Sequence, residues 1–276
     1  MNAEPRHRDD YNDRQVEAAR RVLVDLGQIL ASFHDCLVVV GGWVPDLLLP
    51  DAEEPHIGSI DVDLALDAAK LNDGRYAELI KLLLETRRYK QGNKEFQLVA
   101  EVDLHDGEPP VLVEVEFLAA KEVRLEKHKP KLLDGFRVLQ VEAASEVFRD
   151  PQEVEVSGQN VRGATNTVRW RVASVADWLV MKAHAIGGRD KPKDSSDFCY
   201  GLENCGMDVI ASVWKQRADA KNVTRAIEIV KEKFDTVEAF GPQQVVEFNS
   251  APDAETQAMH ARRAYELVQT LLRLLG

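Results

Sequence analysis

Hydrophobic positions along the chain fall into two regimes. Through roughly the first 170 residues, short apolar runs and period-two alternations dominate, whereas from about Ala173 onward nearly every segment repeats at helical spacing. Residues 10–33 carry Val16, Ala19, Val22, Leu23, Leu26, Ile29 and Leu30 on one stripe, which predicts an amphipathic helix. "CLVVV", ending at Val40, reads as a buried strand. Gly41-Gly42 interrupt it before "WVPDLLL", a short helix whose start tolerates Pro45. "SIDVDLAL" is a second strand, and residues 75–88 form a second helix. The strand patterns "EFQLVAEVDL" and "PVLVEVEFLAA" flank "HDGEPP", a turn-rich link that predicts an antiparallel hairpin. Residues 121–131 form a basic, poorly patterned loop, and short strands follow at "FRVLQV", "EVEVSG" and "NTVRWRV".

Five helical segments complete the chain: "SVADWLVMKAHAI", "SSDFCYGLEN", "GMDVIASVWKQ", "NVTRAIEIVKEKF" and "AETQAMHARRAYELVQTLLRLL". The expected class is therefore α+β. A mixed β-sheet flanked by helices occupies a domain of residues 1–170, and a C-terminal helical bundle occupies 171–276.

Composition adds limits. With 276 residues, 45% of them hydrophobic and 30% charged, the chain is an ordinary globular one able to bury a sizeable core. A net charge of −12 means that a nucleic-acid partner must be held by local basic patches. The loop from Lys121 to Lys131 and the cluster His260, Arg262, Arg263 are the candidates. No apolar run spans a bilayer and the opening "MNAEPRHRDD" is polar, so no membrane association and no signal peptide are expected. Cys36, Cys199 and Cys205 show neither paired nor zinc-ligand spacing, in keeping with a reduced cytoplasmic protein.

The chemistry concentrates at "GSIDVDLAL". In a strand, Asp61 and Asp63 project from the same face, about 6.5–7 Å apart, while Ile60, Val62 and Leu64 point to the core. Two ionised carboxylates at that spacing repel each other unless a divalent cation lies between them, and hard oxygen donors of this kind suit Mg²⁺. On the later strand, Glu114 and Glu116 share a face, and one of them completes an acidic trio if the two strands are neighbours. Such a trio can hold two metal ions about 4 Å apart. Gly41 and Gly42 lack Cβ atoms where backbone N–H groups would approach phosphates, and Ser59 adds a hydroxyl on the Asp61 side. Taken singly, a Gly-Gly turn or an acidic edge strand is commonplace.

Together, "VVGGW" and "GSIDVDLAL" resemble the signature of the nucleotidyltransferase superfamily, which has the DNA polymerase beta-like fold. The resemblance implies that Gly41 and Gly42 cradle phosphate, that Asp61 and Asp63 ligate Mg²⁺, and that Glu116 (or Glu114) is the third acid. It differs in a longer spacer between Gly42 and Asp61 and in a Glu where Asp is commoner.

The helical half adds "VMKAHAIGGRDKPKDSSDF". Lys182, Arg189, Lys191 and Lys193 would supply a triphosphate with cations. Equally, Asp194 could serve as a helix cap and Lys182 could snorkel from a core helix. Lys182, Ala185 and Arg189, followed by Lys193, Asp194 and Asp197, resemble motifs of the AbiEii-type abortive-infection toxins, and the long spacer suits that branch. This resemblance spans residues 36–205. It implies that Lys182, Arg189 and Lys193 contact nucleotide phosphate, and that Asp194 or Asp197 organises them or acts as a base.

The expected activity is Mg²⁺-dependent transfer of a nucleoside monophosphate from a nucleoside triphosphate to a hydroxyl, releasing pyrophosphate. Asp61, Asp63 and Glu116 would hold the metals, and Gly42 and Ser59 the departing phosphates. Lys182 and Arg189 would neutralise developing charge. The resemblance extends the partners to an RNA (tRNA-like) or protein acceptor and to an antitoxin protein. Two alternatives remain open: an inert nucleotide- or partner-binding module of the same fold, and a small-molecule (antibiotic) adenylyltransferase.

Overall fold

Strand and helix periods in the sequence become a mixed sheet and a set of C-terminal helices in the computed structural model, which describes residues 5–71, 75–121 and 138–276. The chain divides into two units: residues 12–47 with 58–174 form the sheet unit, and residues 1–11, 48–57 and 175–276 form the helical unit.

In the sheet unit the strands are β1 (Leu37–Val40), β2 (Asp61–Leu66), β3 (Tyr89–Gln91), β4 (Gln97–Val102), β5 (Val111–Ala120), β6 (Leu139–Val141), β7 (Gln152–Gln159) and β8 (Thr165–Val172). They run in the order β3-β4-β5-β2-β1-β8-β7, with β6 beside β5. The β4–β5 hairpin is antiparallel, as its turn-rich link predicts, whereas β2 and β5 run parallel.

Helix α1 (Asp13–Ile29) packs on the sheet. It starts where the Asn12 side chain accepts a hydrogen bond from the Gln15 N–H at 2.9 Å. The longer periodic stretch breaks after Leu30 into a 3₁₀ turn over Ala31–Cys36. Within α1, Asp25 is fully buried and bound by the Arg88 guanidinium and the Tyr89 hydroxyl. Helix α3 (Arg75–Glu85) sets Tyr76 edge-on to Phe117 of β5 at 6.3 Å between centroids. Alternation thus sends Val62, Leu64, Val113, Val115 and Phe117 into the core, all without solvent exposure.

The helical unit contains α4 (Val175–Gly188), α5 (Pro192–Asn204), α6 (Met207–Gln216), α7 (Lys221–Lys233), α8 (Phe240–Asn249) and α9 (Ala254–Leu275). Apolar residues on almost every side make α4 its centre, packed against α5, α6 and α7. Residues 1–11 and 48–57 belong here too. Tyr11 meets Phe248 edge-on at 5.9 Å, Arg6 pairs with Glu247 at 2.7 Å, and the Tyr200 hydroxyl donates to the Glu54 carbonyl at 2.9 Å. Among the described residues, no helix is long and apolar enough to cross a membrane. Apart from Lys121, the basic loop lies outside the described residues.

Candidate functional site

Parallel pairing of β2 with β5 sets Asp61 opposite Glu114 and Asp63 opposite Glu116. Paired residues share a face and neighbouring strands lie about 4.8 Å apart, so four carboxylates occupy one side of the sheet. Asp61, Asp63 and Glu116 are half-buried, whereas Glu114 is the more exposed of the four. Desolvation of its head still raises the Glu114 pKa; the charges of Glu116 and Asp61 add to the rise, and Lys94 opposes it.

The glycine turn closes against this face. Gly41 has φ +70°, and a Cβ there would lie 2.1 Å from Asp63 Oδ2. Only glycine permits that approach of backbone to carboxylate. A Cβ on Gly42 would lie 2.8 Å from Ser59 Oγ, and the Trp43 indole N–H donates to the Asp61 carbonyl at 2.7 Å. Ser59, itself buried, donates its hydroxyl to Asp61 Oδ1. The helix that follows, α2 (Trp43–Leu48), has only six residues. Its dipole is correspondingly weak.

Two residues not singled out from the sequence complete the face. Lys94, in the bend between β3 and β4, places Nζ 2.8 Å from Glu116 Oε1. Gln97 is almost fully buried, and its amide donates to Glu114 Oε2 at 2.7 Å and to Glu116 Oε1 at 3.1 Å. Carboxylates only accept, so the Gln97 NH₂ is the end that faces them. Neither residue belongs to a motif. The one signal in the sequence is that Gln97 shares the strand period of Val99 and Glu101, which nothing ties to the acids until β4 pairs with β5.

Among the described residues, no group of three His, Cys, Asp or Glu side chains stands arranged to hold a metal ion. Asp61 and Glu116 are instead turned toward the Ser59 hydroxyl and the Lys94 ammonium. In kind, the donor set fits a hard divalent cation: carboxylate oxygens on one face, with an ammonium standing where a cation would be drawn.

The helical unit gathers the second set of expected site residues into one buried network. Lys182 Nζ lies 2.8 Å from Asp194 Oδ1 and 2.7 Å from Asp197 Oδ2. Lys193 Nζ lies 2.8 and 2.9 Å from the two oxygens of Asp197. Arg189 grips Asp194 with two bonds of 2.7 and 3.0 Å, and its side chain stays 55% exposed. His56, from the residue 48–57 segment, joins at 3.0 Å from Asp197 Oδ1.

Asp194 does not cap its helix, because α5 begins after Lys191 with Pro192 at its start and the carboxylate turns to Lys182 and Arg189. Burial would raise the Asp194 pKa, but those two cations overcome it and hold it at about 2. Burial likewise opposes charge on Lys182, and the two aspartates outweigh it and hold the ammonium above its ordinary range. Lys193 lies below its ordinary value, through burial and the neighbouring Lys182, against the pull of Asp197. For His56, burial and the Lys193 charge prevail over Asp197 and lower the pKa to about 4.

Sequence reasoning therefore found the members of both sets and missed His56, Lys94 and Gln97. The chain matches no protein-family model and no curated protein.

Proposed function

We propose that this chain is a divalent-metal-dependent nucleotidyltransferase that transfers a nucleoside monophosphate from a nucleoside triphosphate to a hydroxyl. The observation that carries the reading is the β2–β5 register, which brings Asp61, Asp63, Glu114 and Glu116 onto one face beside the Gly41 turn. Asp61, Asp63 and Glu116 are the residues that would hold Mg²⁺. When bound, Mg²⁺ would polarise the α-phosphate and lower the pKa of the attacking hydroxyl. Backbone N–H groups at Gly41 and Gly42, with the Ser59 hydroxyl, would bind the departing phosphates. Trp43 and Ser59 hold the Asp61 segment against the turn, a positioning task. In the buried network of the helical unit, Arg189 keeps 55% of its side chain in solvent while its guanidinium holds Asp194. Lys182 and Lys193 keep Asp194 and Asp197 ionised and in place.

An acceptor hydroxyl on a structured RNA or on a protein suits this chemistry equally, and an antitoxin partner would follow from a toxin role. Incubation with each labelled triphosphate, Mg²⁺, and either total cellular RNA or protein tests the reading. One pool should become labelled, and Asp61→Asn or Asp63→Asn should abolish labelling while leaving the circular dichroism spectrum unchanged. Labelling that survives in both variants, or none with any triphosphate in either pool, overturns it.

A further inference from the structure

On the acidic face, Glu116 Oε1 receives two donors of opposite character. Gln97 is 1% exposed, and Gly92 backs it so closely that a Cβ there would lie 2.5 Å from Gln97 Oε1. Its amide is fixed. Lys94 reaches the same oxygen from a bend, with 52% of its side chain in solvent and its ammonium 5.6 Å from the Phe96 ring. Its four-carbon stem leaves the charge mobile.

We propose that Lys94 is an internal counter-ion that occupies Glu116 in the metal-free protein and is displaced when a divalent cation binds, so that this side chain sets the metal affinity of the site. The inference rests on the metal-dependent reading above. A divalent cation drawn to Glu116 repels an ammonium within 3 Å of the same oxygen, so the two exclude each other. The exposed lysine rotates into water at little cost, and the buried glutamine stays and keeps the carboxylate aimed. Lys94 thereby also relieves repulsion among Asp61, Glu114 and Glu116 while no metal is bound.

Mn²⁺ binding to the full chain, read from the electron paramagnetic resonance signal of the free ion without nucleotide, tests this. Lys94→Met should tighten Mn²⁺ binding roughly two- to fivefold, the range expected for losing an exposed ion pair. In a Glu116→Gln background the same substitution should change nothing. Lys90→Met removes a lysine paired with Glu101 on the same face, and it should leave the affinity unchanged. Unchanged affinity in Lys94→Met, equal tightening by Lys90→Met, or tightening that persists without Glu116 each overturns the counter-ion role. Wild-type protein that fails to bind Mn²⁺, or that binds it equally well as Asp61→Asn, overturns the metal-dependent reading itself.

Discussion

Lys182 shows how burial changes what a charged residue can do. Its ammonium is shared by Asp194 and Asp197, so Lys182→Met leaves two buried carboxylates one cation short, with only Arg189 on Asp194 and Lys193 and His56 on Asp197. Breaking such a buried set costs about 3–5 kcal/mol, whereas Arg189→Gln removes a largely exposed partner and should cost under about 1 kcal/mol. Urea denaturation of the two variants checks this, and equal losses would deny the network its structural role. His56 adds a pH dependence. Its folded pKa of about 4 lies below the ordinary value of 6.5, so the unfolded chain takes up the proton first. Stability from this group is fully present above about pH 6.5 and falls as pH drops toward 4, by on the order of 3 kcal/mol. Asp194, depressed to about 2, adds a second loss between about pH 4 and 2. A His56→Gln protein, which keeps a donor toward Asp197, should show no more than a shallow remnant of the first slope in melts across that range. The paired aspartates were legible because alternation in a strand is local. Lys94, Gln97 and His56 were not, because each acquires its role through partners 17 or more residues away.

At the scale of elements, the parallel β2–β5 pairing was anticipated only as a condition, since a sequence states the period of a strand and not its neighbour. Two elements escaped the pattern. Strand β3 has three residues, too few for a period to show. Helix α8 opens Phe240-Gly241-Pro242, which reads as a break. Proline in the first helical turn costs nothing, because those N–H groups have no intrahelical acceptor. Helix α9 starts where the Asp253 carboxylate accepts from the Thr256 N–H at 2.9 Å. Asp253→Ala should therefore cost about 1 kcal/mol in thermal unfolding. The turn between β1 and α2 should be far less forgiving. Gly41→Ala meets both the positive φ and the Asp63 carboxylate, and should cost about 1–3 kcal/mol while disturbing the acidic face. A melting temperature unchanged from wild type would show that the turn relaxes freely.

Over the whole molecule, the two regimes of hydrophobic period map onto sheet and helices, yet the helical unit draws on three separate stretches of chain. That interleaving was not legible, because residues 1–11 and 48–57 carry no helical pattern that ties them to the C-terminal half. A fragment of residues 171–276 should accordingly lack the His56, Tyr11 and Arg6 contacts and melt without a cooperative transition, whereas the full chain should melt cooperatively. A sharp melt of the fragment at the full-length temperature would show that the added stretches are dispensable. The same interleaving has a consequence on the ribosome. His56 and Asp197 are 141 residues apart, and Arg6 and Glu247 are 241 apart. At roughly 5–20 residues per second, the first of these partners is synthesised about 7–30 s before the second. Throughout that interval His56 is without Asp197, so the nascent segment around it is open to engagement by chaperones.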